Sequence, residues 1–120
     1  MNPREKNYRM PAEWEKHACC WMQWPHDNPE FNSYAEVPTW SHFDIEKGRI
    51  AWANVAKAIS NFEQVKIIVH PNNIVNASKL LNEKVEILNF KNDDAWARDS
   101  GAIFLLNKEK KLGGVDWEFN

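Results

Sequence analysis

Short apolar runs and one helical stripe divide the chain into predicted strands and helices. Strands are predicted at 18–24, 65–69, 85–90, 102–106 and 111–117, where β-branched or aromatic residues cluster or alternate with polar ones. Apolar residues spaced by three, four or seven positions predict a helix over 44–62, with a stripe formed by Ile45, Trp52, Val55, Ile59 and Phe62. A shorter helix is predicted from an asparagine cap at Asn72 or Asn73 to Leu81. This order predicts an α/β fold with two crossovers and a hairpin.

The segment between the first strand and the first helix, residues 25–41, predicts a long loop because it holds three prolines and several Asn, Asp and Ser residues. Ser41 or Asp44 is the candidate cap of the helix that follows. Loops of this length in a compact domain are usually functional or mobile. The chain has four glycines and no G-x-G-x-x-G or G-x-x-x-x-G-K pattern, so no phosphate-binding loop is predicted.

Composition narrows the class of protein. With 120 residues, 43% of them hydrophobic, and a net charge of −2, the chain fits one folded domain rather than a disordered segment or a polycationic nucleic-acid binder. The charged first ten residues, and apolar runs far below the roughly 18 residues of a membrane span, predict a soluble cytoplasmic protein. Cys19 and Cys20 are expected to be reduced, because a disulfide between neighbouring residues is strained.

The densest polar cluster is residues 92–101, between two predicted strands. In a turn, Trp96 and Asp99 lie three residues apart and face one side together. A carboxylate beside an indole suits a flat cation, because bidentate hydrogen bonds fix its plane and the ring packs on it. The alternative is a solvated connection in which Arg98 pairs with Asp93 or Asp94.

Two other kinds of candidate carry less weight. The four histidines (His17, His26, His42 and His70) have no spacing to Cys, Asp or Glu that indicates a metal site, so no metal is predicted. Cys19 or Cys20 as a nucleophile requires a lowered thiol pKa, whereas an apolar strand raises it. Residues 1–17 are polar, contain two prolines and predict an irregular lead-in.

Four segments together resemble one family, the agmatine deiminases and the related bacterial-type peptidyl-arginine deiminases. They are MPAEWEKH at 10–17, WMQWPH at 21–26, DDAWARDSG at 93–101 and GVDWEFN at 114–120. The segments follow the family's order and spread over the whole chain. The resemblance therefore identifies residues 1–120 as the N-terminal portion of a single deiminase catalytic domain.

The resemblance implies the pentein fold, a five-bladed α/β propeller of ββαβ units, of which this chain forms the N-terminal blades only. It also implies a reaction without a cofactor, in which a cysteine thiolate attacks a guanidinium carbon, ammonia leaves, and water hydrolyses the amidino-thioether. With agmatine as substrate the product is N-carbamoylputrescine, a step in putrescine biosynthesis. The expected partner is a small guanidinium compound, agmatine. Binding to nucleic acid or to a membrane is not expected, and assembly into a homo-oligomer is left as an open alternative.

By the same resemblance, Asp99 matches the catalytic carboxylate that binds the guanidinium, and Trp96 matches the tryptophan that lines the substrate pocket. Arg98 is expected in a structural ion pair, and Asp93 and Asp94 are expected to add negative potential at the entrance. Asp93 stands where the agmatine pattern has Asn, and Ala102 where it has Pro.

The family's histidine-carboxylate motif and its nucleophilic cysteine have no match among these 120 residues, so the chain alone is expected to be inactive. Two alternatives remain open. One is a non-catalytic binding or assembly module that retains half of a guanidinium pocket. The other is a relative of the peptidyl-arginine deiminases.

Overall fold

The computed structural model describes residues 2–26 and 45–116. The chain divides into two compact units, each with its own sheet. The sheet unit is Ala18–Ala97, and the hairpin unit combines Met1–His17 with Arg98–Asn120. The predicted loop at 25–41, apart from Pro25 and His26, and the predicted caps Ser41 and Asp44 lie outside the described residues. His42 and Trp117 do so as well.

The sheet unit is a three-stranded parallel sheet with the strand order β1-β2-β3. Cys20 pairs with Val65, and Val65 pairs with Val85, so the three strands begin at the same level. Parallel neighbours require crossover connections, and a helix lies in each of the two. The elements are β1 (Cys20–Gln23), α1 (Ile45–Ile59), β2 (Val65–Val69), α2 (Ile74–Leu80) and β3 (Val85–Asn89). The predicted order and both crossovers are confirmed.

The core of the sheet unit lies around the central strand. Val65, Ile67 and Val69 alternate along β2 and are fully buried. Trp24, directly after β1, is also fully buried. Both helices contribute alanines to this cluster, Ala53 and Ala56 from α1 and Ala77 from α2. Their small side chains let the helix backbones approach the sheet closely.

The buried face of α1 differs from the predicted stripe. Val55 is 50% exposed and Phe62, beyond the helix, is 91% exposed. The buried positions are instead Arg49, Ala53 and Ala56, spaced by four and three. The prediction was wrong at Val55 and Phe62 because it followed the largest apolar residues, whereas alanines and a paired arginine face the sheet.

The hairpin unit contains the predicted hairpin, β4 (Ile103–Leu106) and β5 (Leu112–Val115), which pair antiparallel. Asn107 forms the turn, since its side-chain oxygen accepts hydrogen bonds from the backbone N–H groups of Glu109 and Lys111 at 3.0 and 2.8 Å. Arg9 forms a bridge to Leu106 through two backbone hydrogen bonds of 2.9 Å. Residues 1–17, predicted to be irregular, thus add an edge partner to this sheet.

A one-turn helix, α3 (Ala97–Ser100), lies within the segment that was predicted as a turn. The division between the two units falls inside it, between Ala97 and Arg98. None of the helices among the described residues is both long and apolar enough to span a bilayer.

Candidate functional site

A segment with polar or aromatic side chains follows the carboxyl end of each strand in the sheet unit. Trp24–Pro25–His26 follow β1, His70 to Asn73 follow β2, and Asn92 to Trp96 follow β3. Ligands of open parallel sheets bind outside the carboxyl ends of the strands. This end of the sheet is therefore the candidate site of the sheet unit. Some of its side chains are held by hydrogen bonds within the protein, and others are accessible to a ligand.

Arg49 holds the segment that directly follows β1. It lies on α1 and is buried, with only 7% of its surface exposed. Its Nε donates to the carbonyl of Pro25 at 3.2 Å, and its Nη2 donates to Oδ1 of Asn73 at 3.1 Å. Its Nη1 forms an ion pair of 2.5 Å with Glu46. A buried charge is tolerated when it is paired and hydrogen-bonded in this way. Arg49 is thus committed to holding the backbone and is not available to a ligand.

Two histidines stack beside this arginine. The rings of His26 and His70 are 3.9 Å apart and nearly parallel, at 7°. The amide of Asn73 accepts from Arg49 through its oxygen, so its nitrogen donates to Nδ1 of His26 at 2.7 Å. Nδ1 of His70 accepts from the backbone N–H of Asn72 at 3.2 Å. In this arrangement the Nδ1 atom of each ring accepts a hydrogen bond.

Metal ligands do not gather here. Within residues 2–26 and 45–116, no three His, Cys, Asp or Glu side chains lie close enough together to hold a metal ion. The stacked histidines lie face to face, and the Nδ1 atom of each has a hydrogen-bond partner of its own.

The loop after β3 is tied to the end of β1 by Asn92. Its Nδ2 donates to the carbonyl of Trp24 at 3.1 Å and to the carbonyl of Asp94 at 3.0 Å. Oδ1 of Asp94 in turn accepts from the backbone N–H groups of Ala95 and Trp96, at 2.6 and 3.2 Å. Asp94, expected to contribute potential at an entrance, therefore shapes the loop that leads into α3.

Trp96 lies at the end of this loop and is 55% exposed. Its ring meets that of Trp52 in an edge-to-face arrangement, with centroids 5.6 Å apart and an interplanar angle of 74°. Trp52 lies on α1 and was predicted only as part of the core stripe. The sequence held no signal for this pair, because the two residues are 44 positions apart and only the fold brings them together.

Asp99 lies in α3, three residues after Trp96, and is exposed. The division of the chain assigns Trp96 to the sheet unit and Asp99 to the hairpin unit. Both predicted site residues are thus exposed.

Arg98 forms the predicted ion pair, but its partner is neither Asp93 nor Asp94. Its Nη1 lies 3.0 Å from Oε1 of Glu13, and both side chains are exposed. The pairing with Asp93 or Asp94 was wrong: Arg98 binds Glu13, 85 positions earlier in the chain, and Oδ1 of Asp94 accepts from the backbone of its own loop instead.

Residues 1–17 contain an ion pair that no pattern in the sequence predicts. Arg9 binds both carboxylate oxygens of Glu15, at 2.6 and 2.8 Å, and the backbone N–H of Ala12 donates to Oε1 of Glu15 at 2.9 Å. The hydrogen bonds from Arg9 and from Ala12 lower the pKa of Glu15 to about 2.

Both cysteines are free and half-buried. Burial, followed by the nearby carboxylate of Glu63, raises the pKa of the Cys20 thiol. The expectation that the strand raises a thiol pKa is thus confirmed for Cys20, which is poorly suited to act as a nucleophile.

Comparison with known proteins decides the family. Residues 9–120 match the model of the Porphyromonas-type peptidyl-arginine deiminases. The chain belongs to this family. A provisionally named agmatine deiminase of Legionella pneumophila strain Paris is 41% identical over 119 residues, which are 98% of this chain and 32% of that protein. Another provisionally named agmatine deiminase, from Mycoplasma capricolum, is 36% identical over 98% of this chain and 30% of its own length.

Solved structures agree with this assignment. The agmatine deiminase of Enterococcus faecalis superposes with a TM-score of 0.80 at 32% identity, over 98% of this chain and 30% of that one. The chain thus spans about a third of the length of the relatives it matches. The predicted family is confirmed, and the similarity extends over nearly the whole of this chain.

Proposed function

We propose that this chain is the N-terminal portion of an enzyme that hydrolyses agmatine to N-carbamoylputrescine and ammonia. Family membership and the similarity to the Enterococcus faecalis agmatine deiminase support the reaction class. In this reaction a thiolate adds to the guanidinium carbon, ammonia leaves with the C–N bond that breaks, and water then releases the urea product and regenerates the thiol. The chemistry belongs to putrescine synthesis and needs no cofactor.

The part that we assign to this chain is recognition of the guanidinium group. The observation that carries this assignment is the half-exposed indole of Trp96 at the carboxyl end of the parallel sheet, followed three residues later by the exposed carboxylate of Asp99. Asp99 would accept two charge-assisted hydrogen bonds from the guanidinium, and Trp96 would pack on its face.

Bond breaking is not assigned to these residues. Neither cysteine matches the family's nucleophile, and the raised pKa of Cys20 disfavours its thiolate. We therefore expect the 120-residue chain to bind substrate weakly and to release no ammonia. The similarity to the Enterococcus faecalis agmatine deiminase over 98% of this chain supports the proposal that the three-stranded and two-stranded sheets belong to the first blades of a pentein propeller.

Calorimetry on the 120-residue chain tests the assignment. We expect agmatine to bind and putrescine, which lacks the guanidinium, not to bind. Asp99→Asn should weaken agmatine binding by about tenfold or more, the range of a hydrogen bond to a charged group. Asp116→Asn is the matched control, because it removes the same charge from another exposed position of the hairpin unit. Equal binding of agmatine and putrescine, or equal effects of the two variants, would overturn the proposal.

Membership of the peptidyl-arginine deiminase family favours a second candidate substrate, arginine within a peptide. The same titration with N-acetyl-arginine amide separates the two. Tighter binding of the blocked arginine than of agmatine would assign the chain to the peptidyl branch. Agmatine binding by a chain whose full-length form releases no ammonia would favour a binding module instead.

A further inference from the structure

The loop that presents Trp96 is anchored at both of its ends within the sheet unit. Asn92 attaches its beginning to the exit of β1, through the 3.1 Å bond to the carbonyl of Trp24. Asp94 closes its middle by accepting from two successive backbone N–H groups. Trp52 contacts the indole at its end. These contacts restrain the loop, and with it the exposed indole of Trp96.

The amide of Asn92 is oriented by its two hydrogen bonds. Both N–H groups of Nδ2 have a carbonyl acceptor, whereas its buried Oδ1 has no hydrogen-bond partner among the described residues. A buried acceptor without a partner has a free-energy cost, which the two donated bonds oppose. Since β1 and β3 flank β2, this one amide connects the carboxyl ends of the two outer strands.

Trp52 supplies a rigid second contact. It lies next to Ala53, which packs fully into the sheet core, so the position of its ring follows from the packing of α1. Edge-to-face indole pairs at this separation are favourable beyond the area that they bury. The Trp96 ring therefore has one preferred placement while more than half of its surface stays accessible.

We propose that Asn92 and Trp52 are positioning residues, which hold the Trp96 indole in place at the carboxyl end of the sheet before a guanidinium binds. The inference rests on the proposed function, since it takes Trp96 as the ring that packs on the guanidinium. Preorganisation of a binding group raises affinity, because the cost of ordering it is not incurred at the moment of binding. Neither residue touches the ligand in this assignment.

Fluorine NMR of the 120-residue chain labelled with 5-fluorotryptophan tests the placement. The chain has seven tryptophans, and the Trp96 resonance is identified by its loss in Trp96→Phe. We expect Asn92→Asp, which keeps the size but removes both N–H donors, to shift the Trp96 resonance. Trp52→Leu should shift it as well, because the ring current of the neighbouring indole is lost. The matched controls Asn89→Asp and Trp21→Leu, at exposed positions of the same unit, should leave it unmoved.

Titration of the same samples with agmatine tests the consequence for binding. Asn92→Asp and Trp52→Leu should each weaken agmatine binding by about three- to tenfold, the fold-change expected for loss of an edge-to-face aromatic contact or a comparable restraint. Trp52→Phe should restore most of the affinity, because it keeps an aromatic edge. A role in core volume alone would be met by leucine equally well. Asn92 lies in the loop after β3 and Trp52 lies on α1, so either variant tests the positioning role if the other fails to fold.

The outcomes separate the two proposals. A wild-type chain in which agmatine moves no tryptophan resonance would overturn the proposed function, while the shifts in the variants would still show whether Asn92 and Trp52 place Trp96. A wild-type chain that binds agmatine, with variants that bind it equally well or leave the Trp96 resonance unmoved, would overturn the positioning role alone.

Discussion

Replacement of Arg49 by methionine should destabilise the sheet unit strongly. The change removes the charged donors of two buried acceptors, the carbonyl of Pro25 and the amide oxygen of Asn73. Each hydrogen bond to a charged group is worth about 1.5–3 kcal/mol, and methionine fills most of the volume, so the loss should be about 3 kcal/mol. The partner Glu46 is 57% exposed in its side chain, so its lost ion pair adds at most about 1 kcal/mol.

Urea unfolding followed by tryptophan fluorescence measures this loss. With a slope of about 2 kcal/mol per M, a loss of about 3 kcal/mol lowers the midpoint by about 1.5 M. Glu46→Gln is the control, since it removes the ion pair but keeps both buried bonds of Arg49, and its midpoint should move by less than about 0.5 M. If Glu46→Gln costs as much as Arg49→Met, the free energy lies in the ion pair, and its assignment to the two buried hydrogen bonds of Arg49 fails.

Three further predictions concern other parts of the chain. Because the pKa of Glu15 is lowered to about 2, its pairing with Arg9 should stabilise the fold above about pH 4.5 and be lost as the pH falls towards 2; an NMR titration midpoint of Glu15 near 4.5 would contradict this. Cys20, with its raised thiol pKa, should react with iodoacetamide at pH 8 more slowly than in the urea-unfolded chain, and equal rates would be evidence against its burial. Phe62→Ala should change the free energy of unfolding by less than about 0.5 kcal/mol, because Phe62 is exposed. Ala53→Leu should lower it by about 1–3 kcal/mol, because the larger side chain overpacks the core. A larger loss for Phe62→Ala than for Ala53→Leu in urea unfolding would support the helix face that the sequence predicts.

The order of elements could be predicted from the sequence because local signals determine it. The run at 65–69 and its β-branched residues coincide with β2, and the hairpin strands lie within one or two residues of their predicted bounds. The buried face of α1 could not be predicted by the same reasoning. The spacing of apolar residues gives most weight to large side chains such as Phe62. The distance between helix and sheet is set instead by small side chains such as Ala53, which is buried.

The candidate site was predictable only in part. Trp96 and Asp99 stand out because a cluster of polar residues around an indole is unusual between two strands, and the family resemblance points to the same pair. The residues that hold the site are joined across long stretches of chain, as in the bond from Asn92 to the carbonyl of Trp24. Such contacts leave no periodic or local pattern, so they appear only once the three strand ends lie side by side.

The hydrogen bonds of Arg49 and of Asn92 meet just after β1, at two successive residues. Arg49, on α1, donates a hydrogen bond to the carbonyl of Pro25. Asn92, in the loop after β3, donates one to the carbonyl of Trp24, so two side chains from different parts of the sheet unit bind adjacent peptide groups. If either is removed, the segment can shift and the remaining bond weakens. The double variant Arg49→Met with Asn92→Ala should therefore differ from the sum of the single variants by about 0.5 kcal/mol or more in urea unfolding. Arg49→Met with Asn89→Ala, at an exposed position, should be additive, and additivity in both pairs would show that each network holds its carbonyl independently.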